Sequence, residues 1–286
     1  MSPARTLALT SLAMMAFAGN SLLCRLALQH TQIDAGSFTA IRLISGALVL
    51  WLVTRRFRGN QAGAGNWLSA LALFFYAAAF SFAYLSLPAA TGALLLFGAV
   101  QATMIGYGLW TGERLRRLQL VGLALALSGL LGLLLPGLTA PPLAGSALML
   151  GAGMAWGIYS LRGKGTGDPM RVTAGNFLRA APVAITLSLL MFGFHGVTLD
   201  TTGAWYALAS GGLTSGIGYA IWYTALPALK ATTAATVQLS VPVLAALGGI
   251  AFLGEPITLR LGLASIAILG GIALVVLQKR VAGSNT

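Results

Sequence analysis

The residues able to do chemistry in this 286-residue chain are rings and amides set in long apolar runs. Tyr76, Phe80 and Tyr84 recur at i, i+4 and i+8, which places three rings on one face of a helix. Tyr219 and Tyr223 repeat that spacing, with Trp222 between them. Phe17 and Asn20 share one early run, and Trp156, Tyr159 and Ser160 share a later one. Gln101 and Gln238 are isolated amides in two further runs. Ring faces attract cations, ring bodies pack apolar groups, and phenol and amide tips hydrogen-bond. Phe17, Asn20, Tyr76, Phe80, Tyr84, Gln101, Trp156, Tyr159, Tyr219, Trp222 and Gln238 are therefore the candidates to line a cavity for a small molecule. The competing role for a ring near the end of an apolar run is anchorage at the headgroups, which fits Trp51, Trp67, Trp110 and Trp205. Asn20 and Gln238 equally suit bonds from helix to helix.

Other chemistries lack their residues. The five acids (Asp34, Glu113, Asp168, Asp200 and Glu255) fall in connections or at the ends of runs, as do His30 and His195. No acid is set to act as an intramembrane proton relay, and no His/Cys/Asp cluster has metal-ligand spacing. Gly165-Thr166-Gly167-Asp168 and Pro227-Ala228-Leu229 match fragments of intramembrane aspartyl proteases. That chemistry needs two aspartates sharing a proton, and no second apolar run carries one. No phosphate-binding loop of the GxxxxGK[ST] type is present. Cys24 is the single cysteine, so an intrachain disulfide is excluded. No catalytic residue, cofactor or metal is expected.

The elements that would position these residues follow from composition. The chain is 57% hydrophobic and 8% charged, with mean hydropathy +0.86, against about 25% charged for a soluble domain. An all-α polytopic membrane protein is the class implied. A span needs roughly 20 apolar residues, and ten such segments run at 6–27, 36–54, 67–87, 90–111, 118–136, 143–161, 173–194, 203–226, 231–252 and 260–278. Their apolar character is continuous rather than alternating, which excludes a transmembrane barrel. Arg5, an apolar run and Ala16-Phe17-Ala18 also resemble a signal peptide; the internal repeat below favours a first span. The net charge of +12 reports orientation here rather than nucleic-acid binding. With the N-terminus inside, thirteen of the 17 Lys and Arg fall in inner connections and tails, so both termini are expected in the cytoplasm and the chain in the inner (plasma) membrane. Arg42 and Arg179 lie inside their spans, where carboxylate binding competes with a scaffold or gate role.

The chain also repeats itself. Residues 15–22 read MAFAGNSL and residues 154–161 read MAWGIYSL, an offset of 139. Leu87-Pro88-Ala89 recurs as Leu226-Pro227-Ala228, Arg42 pairs with Arg179, and Gly112-Glu113 with Gly254-Glu255. Two units follow, residues 1–140 and 141–286, each of five spans. Five is odd, so the units insert with opposite topology, the arrangement that secondary transporters build around a midplane site. With its first-span [MA]-[FW]-[AG] stretch and its Gly-Glu after the fourth span, the chain resembles the EamA type of the drug/metabolite transporter superfamily. Its aromatic-rich wording is most similar to the aromatic amino acid exporter (YddG-type) branch. The resemblance implies export of amino acids, aromatic and apolar ones included, from the cytoplasm by alternating access. Its implied partners are that small-molecule substrate and the lipid bilayer, with no nucleic acid and a monomer as the working unit. The alternatives are an exporter of other metabolites or drugs, a membrane enzyme, or a non-transporting scaffold.

Overall fold

Apolar runs this long become helices because lipid offers no partner to backbone N–H and C=O groups. The computed structural model describes residues 2–58, 65–112, 116–135, 137, 140–163, 168–195, 198–229 and 237–282. Its helices are α1 (Pro3–His30), α2 (Ala35–Arg58), α3 (Trp67–Tyr84), α4 (Ala89–Trp110), α5 (Arg117–Leu134), α6 (Leu143–Arg162) and α7 (Pro169–His195). Then come α8 (Thr201–Ala209), a π-helical segment (Ser210–Ile217) and α9 (Gly218–Ala225) as one continuous rod, followed by α10 (Ser240–Leu253) and α11 (Leu259–Ala282). Among the described residues, six helices have both the length and the hydropathy to cross a membrane: α1 to α5 and α7. This is an all-α polytopic membrane protein.

Two boundaries differ from the sequence expectation for physical reasons. Residues 162–172 read as a loop, yet α7 starts at Pro169. Asp168 caps it, its Oδ1 accepting from the Met170 N–H at 3.1 Å, and proline suits a first helical position. Pro242, inside the expected ninth span, falls in the first turn of α10, where its missing N–H costs nothing. Residues 231–236 of that expected span lie outside the described residues, as does Glu113.

The packing has a centre and an appendage. Helix α2 lies along α7 and the π segment, α6 lies against α3 and α4, and α1 runs among α8, the π segment, α9 and α10. Helices α5 and α11 pair chiefly with each other. That pair closes on glycine: a Cβ at Gly122 would stand 2.6 Å from the Gly271 carbonyl oxygen. The Gly153/Gly157 pair likewise seats α6 on Leu96, Ala99 and Thr103 of α4, and Gly216 packs on Val49. Small residues of this kind let helices approach without a hydrophobic driving force. Leu120, Leu131, Leu189, Phe192, Leu263 and Ile266 are exposed, as a lipid-facing surface requires.

Candidate functional site

Helices α1, α3, α4, α6 and the π-to-α9 rod surround a small cavity. Helix α1 contributes Phe17, Asn20 and Ser21, α3 contributes Tyr76 and Phe80, and α4 contributes Leu96 and Phe97. Trp156 of α6, Thr214 of the π segment and Tyr219 of α9 complete the wall. The indole of Trp156 is the hub, its centroid 4.9 Å from Tyr76, 5.3 Å from Tyr219 and 5.4 Å from Tyr159. Phe17 meets Tyr219 edge-on at 5.7 Å, and Tyr76 meets Phe80 at 5.6 Å. Asn20 supplies an amide, whose Oδ1 accepts from Ser210 Oγ at 2.7 Å and Thr214 Oγ1 at 3.3 Å. Its acceptor is thus committed to the π segment, and the Nδ2 donor is what remains for a ligand.

The π segment follows from local sequence and from crowding. Ser210-Gly211-Gly212-Leu213-Thr214-Ser215-Gly216 has three glycines and two serines, so the α-helix is weakly held there. Gly211 sets its bare backbone against the Arg42 carbonyl and Ser45 of α2, a space that any Cβ would fill. The wider winding brings Thr214 to the cavity and Ser215 to Arg42.

Arg42 is the largest fully buried side chain among the described residues, 2% exposed. Its Nη2 donates to the Tyr76 hydroxyl at 3.1 Å and its Nε to Ser215 Oγ at 3.4 Å. Its guanidinium carbon lies over the rings of Phe80 at 4.8 Å and Tyr76 at 5.3 Å. Depth along the span suggested a scaffold or gate; the structure places Arg42 against two rings of the cavity wall. Its repeat mate Arg179 donates to the Gly175 carbonyl at 2.9 Å, a turn earlier in its own helix.

Six of the sequence candidates therefore converge: Phe17, Asn20, Tyr76, Phe80, Trp156 and Tyr219. Five stand behind or away from the wall. Tyr84 packs edge-on to Phe80 at 4.8 Å and donates to the Ala89 carbonyl. Tyr159 stacks on Trp156, donates to Thr173 Oγ1 at 3.3 Å and accepts from Asn176 Nδ2 at 3.4 Å. Trp222 backs Phe17 at 6.0 Å. Gln101 is buried on α4 without lining the cavity, and Gln238 is half-buried just ahead of α10. Sequence reasoning passed over Ser21, Leu96, Phe97 and Thr214, which carry no distinguishing signal in an apolar helix.

The charged residues at the helix ends are structural. Asp34 accepts from the Ser37 N–H at 2.8 Å, and Asp200 caps α8 through the Gly203 N–H at 3.2 Å. Glu255 pairs with Arg25 at 3.1 Å and accepts from the Ala89 N–H at 2.7 Å. Among the described residues no group of three His, Cys, Asp or Glu side chains can hold a metal ion.

The described residues thus form an aromatic cavity inside a bundle of membrane helices. The EamA-like transporter family model matches residues 143–277, and the chain belongs to that family, within the drug/metabolite transporter superfamily of secondary transporters. An uncharacterised protein of Pseudomonas aeruginosa is 60% identical over 273 residues, 95% of this chain and 94% of that one. The threonine/homoserine exporter RhtA of Escherichia coli is 34% identical over 122 residues, 41% of this chain and 39% of that one. A crystal structure 19% identical to this chain superposes with TM-score 0.67 over 98% of this chain and 99% of that one, which shows a common fold.

Proposed function

We propose that the protein exports amino acids from the cytoplasm across the inner membrane, with ten spans in two inverted five-helix units rocking about the aromatic cavity. One observation carries this reading. Phe17 and Trp156, and Phe80 and Tyr219, are pairs at the same offset of 139, and all four rings border one cavity. Repeat-related residues meeting at a single site is the pattern expected of inverted-repeat transporters. The similarity to an exporter named for threonine and homoserine supports amino acids as the substrate class. The rings extend the expected range to bulky apolar and aromatic side chains, as in the aromatic amino acid exporter branch. Both termini lie in the cytoplasm, and the monomer is the working unit.

The test is counterflow of labelled amino acids in proteoliposomes, run with a panel of small hydroxylated, apolar and aromatic members. Exchange with several of them is the expected result. Exchange only with other metabolites would overturn the substrate class, and no exchange with any small molecule would overturn export.

A further inference from the structure

We propose that Arg42 and Tyr76 together form an anion-binding subsite of the cavity, which takes the carboxylate of the transported molecule. The proposal rests on the amino-acid reading above and assigns one end of the substrate to one end of the site. The first argument is charge. A guanidinium this deep in a membrane protein is costly unless an anion faces it. Among the described residues none does: Asp34 and Asp200 cap helices, Asp168 pairs with Arg171, and Glu255 pairs with Arg25. The negative charge must then come with the cargo.

Hydrogen bonding gives the second argument. Arg42 Nη1 is buried and has no partner, while Nε and Nη2 are both used. Buried donors are nearly always satisfied, so an orphan nitrogen on a permanent cation marks a place where an acceptor is missing. The Tyr76 oxygen accepts from Nη2, so its own proton points elsewhere, and Tyr76 lines the cavity. A carboxylate entering there receives the phenol O–H directly. It also finds, one hydrogen bond behind, a charge that makes the contact selective for anions. Nη1 is the donor left for its second oxygen, since carboxylate and guanidinium match in a two-pronged geometry.

The third argument is division of labour. The rest of the ring lining, Trp156, Tyr219 and Phe17, offers ring faces to an ammonium group or an apolar side chain. A zwitterion thus meets both a cation and ring faces in one cavity.

The test compares each acid with its carboxamide, which keeps the shape and removes the charge. Competition of L-threonine, L-threoninamide, L-phenylalanine and L-phenylalaninamide is measured in proteoliposomes, for wild type and for Arg42→Lys, Arg42→Gln and Tyr76→Phe. The acids should outcompete the amides by about tenfold or more in wild type. Arg42→Lys should keep the preference in reduced form and Arg42→Gln should erase it. Tyr76→Phe, which leaves the cation in place, should weaken the acids more than the amides; it remains informative if Arg42→Gln fails to fold. Equal competition by acid and amide in wild type overturns the subsite while leaving amino-acid export standing. A wild type that ignores amino acids yet binds 3-phenylpropanoate in an Arg42-dependent way overturns the amino-acid reading and keeps the subsite. Binding of neither overturns both.

Discussion

Trp156 links rings of three helices, standing within 5.4 Å of Tyr76, Tyr219 and Tyr159. A desolvated cation–π contact contributes about 2 kcal/mol, so Trp156→Ala should weaken substrate binding by on the order of tenfold. Trp67, 58% exposed at the start of α3, is expected at the headgroups, and Trp67→Ala should leave binding unchanged. Substrate competition in proteoliposomes, with monodispersity in detergent as the fold check, separates the two; equal affinity for Trp156→Ala and wild type would remove the indole from the site. Phe17 and Trp156 were legible in the sequence because the repeat aligns them, and Tyr76 and Phe80 because their spacing shares a helix face. Gln101 was not, since α4 is apolar on every side and nothing in its sequence says which side faces inward. Arg42 was legible as an oddity, and its neighbours were not. Its distance from the span end was visible, whereas the rings of α3 that cover it come from a different helix.

At the scale of elements, starts and stops read more easily than windings. Asp34, Asp168 and Asp200 each stand just ahead of a helix and accept from its first free N–H groups, the ordinary use of aspartate at a helix start. Gly254, at φ +63°, ends α10 in the left-handed conformation that glycine adopts without strain. Apart from the ninth, whose residues 231–236 lie outside the described ones, the helix positions tracked the apolar runs to within a few residues. The π segment had no such signal, because it answers to α2: Gly211 must sit on the Arg42 carbonyl and Ser45, and an extra residue per turn relieves the crowding. Gly211→Ala forces a Cβ into that contact and should cost roughly 1–3 kcal/mol, the usual penalty of overpacking. Gly106→Ala, on an exposed face of α4 with nothing within 4 Å, should be neutral or stabilising by up to about 1 kcal/mol. Thermal unfolding in detergent tests the contrast. A Gly211→Ala variant as stable as Gly106→Ala would mean that the crossing is looser than described.

Over the whole molecule, the orientation argument and the central ion pair lead to one experiment each. The bias of basic residues puts residue 199 outside and residue 56 inside. In a background lacking Cys24, an impermeant thiol reagent should label Leu199→Cys from the outer side and leave Arg56→Cys untouched; the reverse would invert the topology. The same orientation places Arg25, the end of α3, the start of α4 and Glu255 together on the outer half. There the Arg25 guanidinium joins Glu255 at 3.1 Å and the Tyr84 carbonyl at 2.9 Å, while Glu255 also accepts from Ala89. One ion pair therefore ties α1, the α3–α4 turn and the segment leading into α11. It spans the two sequence repeats, and we expect it to hold the outer end of the bundle closed. The left-handed Gly254 makes this contact possible by turning Glu255 back over the bundle. In the proposed alternating access, rocking toward an outward-open state would separate these groups, and a largely buried pair with one partner removed is destabilised by roughly 3–5 kcal/mol. Glu255→Gln keeps an oxygen for Ala89 and deletes the charge, so it should weaken the closed outer end without unfolding α4. In the same Cys24-free background, an impermeant reagent applied outside should then label Thr214→Cys, a cavity position, several-fold faster than when Glu255 is intact. Exchanging the charges, Arg25→Glu with Glu255→Arg, should slow the labelling again. Labelling unchanged by Glu255→Gln would show that the pair braces the fold in every state rather than closing one of them.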